Sequence, residues 1–174
     1  MFLIATLLVV LIGAGLRLVR HREERDAEGI TEAFTAWFIF ALVGLGGLFA
    51  FSGHAFVAEE TAENIGFPAG NPFQFEVGVA NLAFGVLGLL SLRYPGSFRW
   101  AAVIGYSVFM WGAAGLHIYE RVVNDNRAPG NSGFPLYADI ITPVLLLGLL
   151  ILNHRLKSRS RRKHRDGQRL RQAA

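Results

Sequence analysis

The chain has 174 residues, 52% hydrophobic and only 17% charged, with a formal net charge of +4. A soluble domain is nearer about 25% charged, and here the apolar residues gather in long runs, which excludes an ordinary water-soluble globule and points to an all-α integral membrane bundle. The absence of cysteine removes thiolate catalysis, disulfides and thiolate-held metal centres.

Five spans are expected. The first, MFLIATLLVVLIGAGL, ends near Arg17; it is short, but sufficient if Arg17 snorkels. It has no basic leading segment and no small-residue cleavage pattern, so it reads as a span and not as a removable signal peptide. The second covers Ala33–Gly53, the third Phe75–Leu92, the fourth Phe98–Tyr119 and the fifth Tyr137–Asn153. Residues 1–153 thus form a single bundle domain, and 154–174 a basic tail expected to be disordered.

Fifteen of the seventeen Lys and Arg fall between spans one and two, around the connection of spans three and four, or in the tail; Arg121 and Arg127 are the exceptions. The positive-inside rule then predicts an outer N-terminus and a cytoplasmic C-terminus, in the inner membrane of a bacterium. The tail KSRSRRKHRDGQR has no interleaved aromatics for base stacking. It is expected to meet anionic lipid headgroups and no nucleic acid.

The polar residues collect at the outer end. His54 closes span two, Gln74, Glu76 and Asn81 open span three, His117 and Glu120 close span four, and Asp139 opens span five; Asn131 lies in the loop before it. The cytoplasmic ends offer only Lys, Arg and ordinary loop residues, so a site would face outward. Structural roles compete for each residue. Glu76 can favour a helix start by about 0.3–1 kcal/mol, Asp139 can be an N-cap with Pro143 tolerated near the helix start, and the histidines can be interfacial.

Helical phase separates these residues further. Gly78, Asn81, Gly85 and Gly88 share one face, a packing seam in which Asn81 is expected to bond a neighbouring helix, while Glu76 projects away from it. On span four, Ala101, Gly105, Val108, Gly112 and Gly115 make a second small face, with His117 nearly opposite. HIYE places Glu120 on the His117 side, a His-x-x-Glu pair able to supply two metal ligands. The loops GFPAGNPF and RAPGNSGFP carry Gly, Pro and Asn at turn spacing. With Phe67, Phe73 and Phe134 they are expected to fold over the bundle mouth as a lid or to pack into it.

Through NPFQFEVGVANLAFG, HIYE and NDNRAPGNSG the chain resembles a group of uncharacterised bacterial multi-pass membrane proteins, over roughly Gly53 to Pro143. More loosely, through Gly66-Phe67-Pro68, Glu76, Gly85 and His117, it is similar to the DoxX-like membrane proteins. That resemblance implies a four-helix bundle and, in some members, quinone-linked redox complexes; the extra span departs from it.

The expectation is an outward polar pocket binding a small ligand or a metal. Gln74, Glu76, Asn81, Asn131 and Asp139 would contact the ligand, and His54, His117 and Glu120 are the candidate metal ligands. Imidazole and carboxylate suit zinc, iron or manganese, and equally an acid–base site for a lipid or quinone. The alternative is an accessory subunit of a membrane complex with a protein partner. A transporter ranks last, because ionisable groups deep in the spans are few.

Overall fold

A computed structural model describes residues 2–173 and is helical almost throughout. Helix α1 covers Phe2–Arg20, α2 Ala27–Phe56, α3 Ala58–Ile65, α4 Phe73–Leu90, α5 Ser97–Val123, the one-turn α6 Pro129–Ser132, and α7 Phe134–Ala173. Five of these elements are long and apolar enough to cross a membrane, as the apolar runs predict.

The helices overrun those runs. Asp26 accepts from the Gly29 backbone N–H at 2.8 Å, an N-cap that starts α2 six residues before Ala33. Helix α7 continues through the basic stretch to Ala173, where a disordered tail was expected. Arg, Lys, Leu and Gln are good helix formers, and an existing helix needs no fresh nucleus to propagate.

Helix α2 lies at the centre. Trp37 covers Gly13 of α1, so closely that a Cβ there would overlap its indole. Between Ile39 and Leu45 the backbone of α2 winds as a π-helix, and from there on α2 crosses α4. This crossing is glycine on glycine: a Cβ on Gly47 would stand 2.7 Å from Gly85 N, and one on Gly88 would overlap the backbone of Gly44. Small residues allow this approach, the main source of helix association in lipid. The seam read from Gly78, Asn81, Gly85 and Gly88 is therefore present. Asn81, however, donates to Val77 O of its own helix at 2.9 Å, not to a neighbour.

Helices α5 and α7 complete the bundle around Ile39, Val43, Val103, Tyr106, Leu146 and Leu150. The inward face of α5 is Ala102, Val103, Tyr106, Ser107 and Ala114. The small face expected to pack is turned outward: Val108 is 68% exposed, and a Cβ on Gly112 or Gly115 would meet nothing within 4 Å. Phase identifies a face but not the direction in which it points.

Candidate functional site

At the end of the bundle away from the basic segments, two loops lock together. Helix α3 ends at Gly66, whose φ of +83° is left-handed, the usual glycine C-terminus; a Cβ there would also stand 2.5 Å from Asn126 Oδ1. Asn126 Nδ2 donates to Ile65 O (3.0 Å) and Asn126 Oδ1 accepts from Ala128 N (3.1 Å). The carbonyl of Asn126 accepts from Asn131 Nδ2 (2.9 Å) and Ser132 Oγ (2.8 Å). These turns form a defined lid, as their Gly, Pro and Asn content suggests.

Beneath the lid, Asn131 meets His117. Its Oδ1 lies 2.7 Å from His117 Nδ1, and its Nδ2 donates to the His117 carbonyl at 3.2 Å as well as to Asn126 O. Asn131 is fully buried. The other ring nitrogen, His117 Nε2, faces Asp139 Oδ2 at 3.6 Å, with the two side chains 12% and 11% exposed. Three of the residues selected from sequence thus converge from α5, α6 and α7.

Asp139 is not an N-cap. It lies inside α7, which begins at Phe134. Pro143, buried in the helix interior, has no N–H to give the Asp139 carbonyl four residues back, so α7 is loosened at this residue. Trp111 Nε1 reaches the next carbonyl, Ile140 O, at 3.5 Å. Freed backbone groups in membrane helices are re-satisfied by neighbours in this way.

The other candidates stand apart from that trio. His54 packs over Gly78, where a Cβ would stand 3.2 Å from His54 Cβ. Among the described residues its Nδ1, like Gln74 Nε2, is buried without a hydrogen-bond partner. Glu76 is exposed and Asn81 sits in the α2–α4 seam. Glu120 is half-buried, its carbonyl accepting from Asn124 and Asn126 N–H. Among the described residues no three His, Asp or Glu side chains group closely enough to hold a metal ion, so His54, His117 and Glu120 form no such set.

A second polar cluster occupies the opposite end, where only loop residues and basic groups were expected. Glu32, on the first turns of α2, is buried; its Oε1 accepts from Arg99 Nη1 of α5 at 2.6 Å. Its Oε2 accepts from Lys157 Nζ at 2.6 Å and from Asn153 Nδ2, both of α7. Arg99 Nε donates to the carbonyl of Ser91, just past α4, at 2.8 Å. One carboxylate thereby joins α2, α5 and α7 and, through Arg99, reaches α4. An open cleft of about 390 Å³ borders it, lined among others by Arg17, Glu24, Asp26, Glu32 and Lys157.

The model of a family of unknown function, DUF6790, matches residues 1–159. The chain belongs to the DUF6790 family. No curated protein and no solved structure matches it. For this DUF6790 chain, then, the chemistry of the two polar clusters is the guide to function.

Proposed function

We propose that this DUF6790 protein is an integral membrane protein with a small-ligand site at its lidded end, built on His117, Asn131 and Asp139. One observation supports the reading above all. A carboxylate and an imidazole are buried together, and a fully buried asparagine sets the imidazole's orientation. Ionisable groups placed inside a membrane domain are costly and are kept for function by default. The charge distribution supports an outward-facing lid in a bacterial inner membrane, with the Glu32 end cytoplasmic, since most Lys and Arg lie at that end. The test is mass spectrometry and elemental analysis of the purified protein beside His117→Ala and Asp139→Asn. A small molecule or ion present in the wild type and depleted in both variants is expected; an identical inventory would sink the site.

A second reading, an accessory subunit of a membrane complex, has support of its own in the outward small face of α5. Gly112 and Gly115 leave room for a foreign helix, and the likeness to DoxX-like proteins makes a quinone-linked complex the natural setting. Gly112→Leu should then release a co-purifying membrane partner; retention of that partner at wild-type yield counts against this surface.

A further inference from the structure

The hydrogen bonds around Asn131 determine which atoms of His117 carry protons, and this defines the chemistry of the site. Asn131 Nδ2 faces two carbonyl oxygens, His117 O and Asn126 O, at 3.2 and 2.9 Å. A reversed amide would set oxygen against oxygen at both, so Oδ1 is the atom that faces His117 Nδ1. An amide oxygen only accepts; Nδ1 therefore carries the hydrogen. A neutral imidazole has one N–H, which leaves Nε2 with a bare lone pair.

That lone pair faces Asp139 Oδ2 at 3.6 Å. Two acceptors are thus turned toward each other in a buried place. Among the described residues Asp139 has no Lys or Arg partner; Arg121 of α5 is directed at the Ser132 carbonyl, 3.5 Å away. A single donor lying off the line between the two atoms can bond both, because arms of about 2.8–3.0 Å close a triangle on this base. A donor that is also positive answers the carboxylate charge, and charge-assisted bonds are the stronger kind.

We infer that the ligand of this site is an organic cation that places a protonated amine between His117 Nε2 and Asp139 Oδ2, with Asn131 holding the imidazole as the receiving tautomer. The inference rests on the binding reading above and names its ligand class.

The experiment is nitrogen NMR of histidine-labelled full-length protein in lipid nanodiscs at neutral pH, titrated with n-butylammonium and, separately, butyrate. The wild type should show His117 protonated at Nδ1 and bare at Nε2. Butylammonium should move the Nε2 resonance to saturation while butyrate leaves it in place. Asp139→Asn, nearly isosteric, should weaken the ammonium response at least ~10-fold, the loss of one charge-assisted bond; Asn131→Leu should mix the two tautomers. A ligand-free His117 that is doubly protonated, or protonated at Nε2 alone, overturns the inference, because a proton then already fills the gap. An ammonium response unchanged by Asp139→Asn overturns it too. A co-purified ligand without any N–H donor would overturn the amine class yet leave the binding site standing, whereas an unchanged inventory removes the binding reading itself.

Discussion

Glu32 carries one negative charge between two cations, Arg99 and Lys157, and the Arg99 side chain is 4% exposed. Removing one member of a buried ion pair leaves the other charged and unpaired, which typically costs about 3–5 kcal/mol, while replacing the pair together by apolar groups can be near neutral. Glu32→Leu should therefore lower thermal stability sharply, and Glu32→Leu combined with Arg99→Leu should recover much of the loss; additive destabilisation in detergent unfolding would refute a coupled pair. Sequence could not reveal this cluster. Glu32 stands one residue before the apolar run that begins at Ala33, among loop arginines, and its partners lie 67 and 125 positions further along the chain. The outer trio was half legible: His117, Asn131 and Asp139 were each selected, but the local pattern HIYE pointed His117 at Glu120. Spacing within one helix shows which residues share a face, whereas the true partners come from α6 and α7.

Between elements, the α2–α4 crossing has no room for a methyl group and the outer face of α5 has plenty. Gly88→Ala would drive a Cβ into the Gly44 backbone, and overpacking of this kind costs about 1–3 kcal/mol. Gly112→Ala meets nothing within 4 Å and should be neutral or slightly stabilising as a better helix former. Parallel unfolding of the two variants checks this, and equal effects would contradict the packing described. The seam on α4 was readable because glycines at helical spacing have few other uses in a membrane helix. The direction of the second small face was not, since an apolar helix surrounded by lipid and protein has no polar side to orient it. Span number was legible from composition alone, yet helix ends were not: Asp26 caps α2 and good helix formers extend α7, both outside the apolar runs.

For the whole molecule, membrane orientation is the first consequence to check. With the lid outward, a cysteine at Asn124 should react with an impermeant thiol reagent on intact cells, and one at Ser160 only after permeabilisation; the reverse pattern would invert the topology and place the His117 site in the cytoplasm. A cysteine-free chain makes each label unambiguous. Beyond orientation, the same two helices reach both polar clusters. Helix α5 carries His117 and Arg99, and α7 carries Asp139, Asn153 and Lys157. At 1.5 Å per residue the clusters lie about 21–27 Å apart along these rods. Below the outer contact, α7 has one soft joint, Pro143, where a rung of the backbone ladder is missing. The pair therefore works as a lever with a hinge near one end: prising Asp139 from His117 either bends α7 at Pro143 or tilts the whole rod against the Glu32 anchor on the far side.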